Sequence, residues 1–275
     1  VLDSIPKKLK HSMEARMKGK YCVLMTACIS PEAGIEKKPG NRLKRFDPGL
    51  RLKDYASGLR FWLDYPDDRI ESIVFADNSG FDLAELEKLV NVAGTNKKVE
   101  FLSLPICQWP EHVHYGYCEL QIMDEALAKS VCLKEADYIL KATGRLRFTG
   151  VKELMDCLPE DLLFAVDCSR LKLPLRAERR GLMTQLMLFN KEFYIRHLEG
   201  VKVKLQPWVL SHIEDLLFFE LIKLKGVKGA VLRFPVNVAC IGVSATTNMS
   251  YMSFPVRAKS LLRSIMRRLA PGIWI

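Results

Sequence analysis

Three short apolar runs recur through the first hundred residues, and their spacing constrains the fold more than any other feature. They are Tyr21–Ile29 (YCVLMTACI), Ile70–Ala76 (IESIVFA) and Val99–Leu104. Runs of this length without a polar face read as strands buried on both sides. Between the first two, Leu50–Leu63 places Leu52, Tyr55, Ala56, Leu59, Trp62 and Leu63 at helical spacing. Between the second and third, Asp82 stands three residues before Glu85, as in a capping box, and opens a helix over Leu83–Val90. Strand, helix, strand, helix, strand with short links predicts a parallel sheet covered by helices.

The pattern continues downstream. Tyr117–Leu133 has one apolar side and reads as a helix; Leu162–Asp167 and Leu182–Phe189 read as strands. Ser211 and Glu214 form a second S-x-x-E capping box, opening a helix over Ser211–Leu224, and Ala230–Phe234 and Val236–Val243 read as late strands. There is no internal repeat, so one α/β domain over residues 1–256 is the economical division. Residues 257–275 form a separate basic tail. In it Leu261, Leu262, Ile265, Met266 and Leu269 share one helical face, and Arg257, Lys259, Arg263, Arg267 and Arg268 fill the rest. Such a helix can lie on an anionic membrane surface.

The formal charge of +10 points to an anionic partner. Val1–Lys20 reads as a basic, partly helical lead-in, and the segment from Ser30-Pro31 to Pro48 as a polar loop. The eight cysteines include no CxxC pair and several lie in apolar runs, which fits a reducing compartment better than a disulfide framework. With no long apolar span and no signal-like N-terminus, the expected location is cytoplasmic, peripheral on the inner face of the cell membrane if the tail binds it.

Ala136–Phe148 (ADYILKATGRLRF) is the stretch most suggestive of chemistry. Its apolar run Tyr138-Ile139-Leu140 turns abruptly polar at Lys141, Thr143, Gly144 and Arg145. In open α/β sheets ligands bind beyond the carboxyl ends of strands. In a parallel sheet this exit converges with Thr26-Ala27-Cys28 and Asp77-Asn78-Ser79.

In the order of these elements the chain resembles the GT-A glycosyltransferases, which use nucleotide sugars to assemble glycans. YCVLMTACISP is similar to that fold's first strand, with Thr26 and Ala27 at the turn that cradles the base. IVFADNSG resembles the second strand, whose terminal acid, here Asp77, holds the nucleobase beside Asn78 and Ser79. GYCELQIMDEALAKS followed by EADYILKATGR resembles bacterial lipopolysaccharide and capsule glycosyltransferases, with their GYGEG-like segment and KxTGR-like strand. The match reaches Glu119, with Cys118 and Leu120 in place of glycines. HIEDLLFFEL is similar to the helix that supplies the acceptor-side acid. The resemblance implies a GT-A-like, mostly parallel sheet flanked by helices. It also implies a nucleotide-sugar donor and a glycan or lipid-linked glycan acceptor.

The usual DxD that holds a divalent metal is missing, because the corresponding place reads Lys141-Ala142-Thr143-Gly144-Arg145. Lys141 and Arg145 are then expected to neutralise the leaving diphosphate directly, with hydrogen bonds from Thr143 and the Gly144 backbone. Transfer is either independent of metal or uses manganese or magnesium held by acids elsewhere. An inverting transfer needs a carboxylate to accept the acceptor's proton. Asp215 is the first choice, because Glu214 has its capping-box duty; His212 adjoins the pair on the acceptor side.

Other candidates are weaker. His112 and His114 form an HxH without a third ligand at convincing spacing, so no metal site is assigned. Trp109 and Trp208 can stack on a sugar, and Gly242-Val243-Ser244 with Asn248 can close over the site. Two rival functions remain. A nucleotidyltransferase acting on a sugar phosphate would show an early glycine-rich phosphate loop. A basic nucleic-acid-binding protein would show clustered arginine and aromatic residues. YCVLMTACISP is not such a loop, neither an RNP-like nor a helix-turn-helix signature appears, and nucleic acid is not an expected partner.

Overall fold

A computed structural model describes residues 19–31, 43–171 and 179–269. Residues 1–18 of the basic lead-in and much of the polar loop before Pro48 fall outside the described residues, as do the side chains of Arg257, Lys259 and Arg268 in the tail. The first half runs β1 (Tyr21–Ala27), α1 (Pro48–Leu63), β2 (Ile70–Asp77), α2 (Ala84–Ala93), β3 (Lys98–Ser103), α3 (Gly116–Lys129), α4 (Val131–Glu135) and β4 (Tyr138–Thr143). The second half runs β5 (Arg147–Thr149), α5 (Val151–Asp156), β6 (Phe164–Ala165), β7 (Cys168–Leu171), β8 (Arg179–Leu182), β9 (Leu186–Asn190) and α6 (Lys191–His197). After a 3₁₀ turn (Val201–Lys204) come α7 (Ile213–Ile222), β10 (Ala230–Val231), β11 (Ala239–Ile241) and α8 (Phe254–Leu269).

Seven strands form the central sheet in the order β10-β6-β9-β4-β1-β2-β3. Neighbours are parallel except around β9, which is antiparallel to both β4 and β6. Every residue of β1 is buried. Its side chains alternate between two cores: Cys22 and Leu24 pack with Met123 and Ala126 of α3, and Tyr21, Val23 and Met25 pack with Leu59 and Trp62 of α1. This is the expected class, a mostly parallel central sheet flanked by helices, and the apolar runs earn it by being covered on both faces.

Several boundaries differ from the sequence reading, each for a local reason. α1 begins at Pro48, where Asp47 caps the helix by accepting from Leu50 N at 2.7 Å and proline occupies the first turn. The helix expected over Tyr117–Leu133 breaks at Ser130. Glu100 of β3 accepts from Ser130 Oγ and from the Val131 and Cys132 amides, while Ser130 Oγ accepts from Leu133 N, so a new short helix starts there. Neither capping box forms. Asp82 accepts from Ala84 N at 3.0 Å without capping α2, and α7 starts at Ile213 with His212 at its N-cap and no capping side chain. The run Leu182–Phe189 divides between the β7–β8 hairpin and β9, and the late strands shrink to two and three residues.

Cys107 and Cys118 form a disulfide, which corrects the expectation that the cysteines are unpaired; the other six are free. α8 begins at Phe254, and the Arg267 guanidinium donates to Asp167 Oδ2 at 2.6 Å and to the Phe234 carbonyl. Leu261, Leu262, Ile265 and Leu269 of the same helix are exposed. Among the described residues, no helix is long and apolar enough to cross a membrane.

One packing contact fixes the exit of β4. The Gly144 carbonyl lies directly against Gly58 of α1, so that a Cβ on Gly58 would sit 2.1 Å from that oxygen. The obstacle is backbone, which cannot swing away as a side chain could. Gly58→Ala is therefore expected to cost about 2–3 kcal/mol. For a chain of this size that is a fall of roughly 5–10 °C in Tm. Gly181→Ala, where a Cβ meets open space, is the matched control in the same thermal melt.

Candidate active site at the carboxyl edge of the sheet

β1 lies between β2 and β4, so the chain winds outward through β2 and β3 and then returns across β1 to begin β4. A sheet that reverses its winding order opens a crevice at that point, beyond the carboxyl ends of the two central strands. Thr26 and Thr143 are register partners at those ends. A cleft of about 850 Å³ opens above them, walled by the turns after β1 and β2 and the start of α1. The segment from Ile106 to Glu119, residues His212–Glu214 and the loop Ser244–Thr246 complete its walls. This volume suits a nucleotide-sized ligand.

The floor is a charged knot. Leu140 and Ala142 of β4 join the core under α1, so strand alternation turns Lys141 to the other face, toward α3. There Lys141 has no exposed surface. Its ammonium donates to Glu119 Oε1, to the Thr184 carbonyl at 2.5 Å and to Thr143 Oγ1 at 3.4 Å. Thr26 Oγ1 donates to the same Glu119 oxygen at 3.1 Å, and Thr143 Oγ1 approaches it at 3.4 Å. The sequence reading put Lys141 on the diphosphate beside Arg145. The structure places it beneath the floor instead, where it holds Glu119, and it is Glu119 that lines the cleft.

Arg145 does reach the wall. Its guanidinium donates to the Val243 carbonyl, and it has no carboxylate partner among the described residues. Gly144 does not offer its amide to a ligand, because that N–H donates to the Thr26 carbonyl at 3.0 Å. Asp77 is only 1% exposed, and its carboxylate accepts from the Ile29 amide at 2.7 Å and from Ser79 N and Oγ at 2.8 and 2.6 Å. It ties together the turns after β1 and β2 rather than lining the cleft. Thr26, Ala27, Asn78 and Ser79 do line it. Asn78 Oδ1 is buried with no partner among the described residues, a vacant acceptor that a base N–H can satisfy.

At the opposite rim the structure gathers residues that the sequence left apart. The Glu214 side chain lines the cleft, and so does His212, whereas Asp215 on the next step of α7 is not among the lining residues. His114 stacks on His212 with ring centroids 4.6 Å apart. One ligand atom from each of His114, His212 and Glu214 lies within 4.8 Å of the others. Burial, with the charge on His212 adding to it, lowers the His114 pKa to about 4, and burial raises that of Glu214. His112 turns away from this cluster to stack on the exposed Trp208, both with positive φ. The HxH is thus not a chelating pair; among the described residues, His114, His212 and Glu214 are the group of possible ligands close enough to share an ion.

Arg51 and Tyr55 were missed as site residues because they read as part of an ordinary amphipathic helix. Arg51 is buried and donates to the Cys28 and Arg45 carbonyls, and Tyr55 OH accepts from Cys28 N, so α1 fixes the turn after β1. Tyr115, another lining residue, hydrogen-bonds Thr246 at 3.1 Å. The loop around Ser244, guessed from its glycine and asparagine, is a wall of the cleft: Ala245 O accepts from Lys44 N and Arg45 N, and Asn248 Oδ1 accepts from Arg45.

No protein-family model matches the chain, and no curated protein matches it either. Among solved structures it is similar to core-mannan synthase A of Aspergillus fumigatus in its Mn/GDP form. The identity is 8% and the TM-score 0.47, over 79% of this chain and 71% of that one. It is also similar to 4-diphosphocytidyl-2C-methyl-D-erythritol synthase from Anaerococcus prevotii, at 9% identity and TM-score 0.41, covering 92% and 98% of the two chains. The glycosyltransferase GlyE of Streptococcus pneumoniae matches at 10% identity and TM-score 0.41, over 78% of this chain and 45% of that one.

Proposed function

We propose that the chain is an enzyme that transfers a sugar from a nucleotide-sugar donor to a glycan or lipid-linked glycan acceptor, with inversion, in cell-surface polysaccharide or lipopolysaccharide assembly. The observation that carries this reading is the cleft at the switch point of the sheet, with Arg145 and the Thr26–Glu119–Thr143 floor on one side and Glu214 on the other. A guanidinium without a carboxylate partner among the described residues suits a diphosphate, and Asn78 Oδ1 suits the base N–H. Glu214, rather than Asp215, is the acid of the pair that can act on bound substrate. The exposed leucines of α8, with the basic residues the sequence places beside them, support a membrane-facing tail over residues 257–275.

The rival reading is nucleotidyl transfer to a sugar phosphate, which would use the same cleft. Products separate the two. A glycosyltransferase releases a nucleoside diphosphate or monophosphate from a nucleotide sugar, and a nucleotidyltransferase releases pyrophosphate from a nucleoside triphosphate. In a thermal-shift panel, UDP, GDP or CMP at a hundred times its Kd is expected to add about 2.7 kcal/mol. Arg145→Ala should shrink that shift. No response to any nucleotide, or pyrophosphate release with no turnover of UDP-, GDP- or CMP-sugars, would overturn the reading.

A further inference from the structure

We propose that His114, His212 and Glu214 form a binding site for one first-row divalent transition-metal ion at the rim of the cleft. The three side chains come from two segments, His114 and His212 being 98 residues apart in sequence, and the backbone stitches those segments together: His114 N donates to the Ser211 carbonyl at 3.0 Å. The donor atoms already lie within 4.8 Å of one another, so an ion can meet all three with small rotamer adjustments. Glu214 has no ion-pair partner among the described residues, and the nearby Lys141 is engaged by Glu119. Loading the ion costs the one hydrogen bond that His114 Nδ1 accepts from Gly116 N at 3.2 Å, because that nitrogen either takes the metal or must carry the ring proton.

Two imidazoles and one carboxylate favour zinc, cobalt, manganese or iron over magnesium or calcium. Three protein ligands leave coordination positions open toward the cleft, as in sites that bind substrate rather than sites that only hold a fold together. When bound, the ion supplies the positive charge that a DxD-held metal would supply to a leaving diphosphate; this use, unlike the binding itself, rests on the transferase reading. Glu214 then acts in catalysis by holding the ion.

The test is direct metal binding to the full chain, without nucleotide, using Co²⁺ absorption and Zn²⁺ equilibrium dialysis. One Co²⁺ per chain with visible ligand-field bands, displaced by Zn²⁺ and not by millimolar Mg²⁺, is the expected result. His212→Ala and Glu214→Gln should each weaken binding about tenfold or more, and His197→Ala, on the exposed end of α6, should leave it unchanged. His212 is itself exposed, so its variant is the one expected to fold normally, and circular dichroism verifies this. Absence of stoichiometric binding overturns the inference. So does binding that survives in both His212→Ala and Glu214→Gln, which would put the ion on cysteines. Failure here with intact turnover of nucleotide sugars leaves the transferase reading standing. Metal binding without any nucleotide response removes that reading and keeps the site.

Discussion

Glu119→Ala is expected to destabilise the protein by about 3–5 kcal/mol, because it leaves the Lys141 ammonium buried without its carboxylate. At 2–4 °C per kcal/mol the fall in Tm is roughly 6–20 °C. Lys141 is completely buried and the Glu119 side chain 22% exposed, so the penalty falls mainly on the lysine. Among the described residues, its other acceptors are the Thr184 carbonyl and Thr143 Oγ1, and neither carries charge. Lys141→Met is the informative partner. It removes the charge with the volume nearly kept, and replacing a buried charge by an apolar isostere costs far less than stranding it. Glu119→Ala should therefore be the more destabilising of the two in denaturant melts. The double variant should recover much of the loss. If Lys141→Met proves equally damaging, the ammonium is doing something besides neutralising Glu119.

Glu214→Gln is expected to lower turnover of the nucleotide sugar by about 10²–10⁴-fold, the usual range for a carboxylate that takes part in proton transfer or holds a catalytic ion. Donor binding, read by the nucleotide thermal shift without added metal, should be nearly retained. Asp215→Asn is expected to keep turnover within about threefold, since Asp215 is one residue along α7 and an α-helix turns about 100° per residue. The opposite pattern, with Asp215→Asn inactive and Glu214→Gln active, would restore the assignment the sequence alone suggested.

That reversal shows where the sequence stopped being legible. Moving the start of α7 from Ser211 to Ile213 dissolves the supposed capping box and frees Glu214 for the cleft. A helix boundary is the least constrained part of a periodic pattern, and here two residues decided which acid lines the cleft. β1, β2 and β3 were readable within one or two residues, because continuous apolar runs such as YCVLMTA and IESIVFA have few other ways to be buried. β9 was readable as a strand but not as a reversed one, since an apolar run carries no direction. Lys141 looked like a ligand-binding cation because its partner Glu119 lies in another element. His114 and His212 were invisible as a pair for the same reason, and so was the Cys107–Cys118 bridge. Ala27, Asn78, Ser79 and Arg145 could be placed at the cleft wall because strand ends in an α/β sheet are where sequence order predicts spatial convergence.

The Gly58–Gly144 contact has a consequence for how such a cleft diversifies. It joins one main chain to another, so the level at which Arg145 stands over the floor is set by helix and strand geometry and not by any side chain's size. The edge formed by Asn78 and Ser79 hangs from a different support, the Asp77 carboxylate. The two edges are thus mechanically separate, like a fixed jaw and an exchangeable one. A substitution at Asn78 or Ser79 can therefore reshape one edge while the height of Arg145 above the floor stays constant.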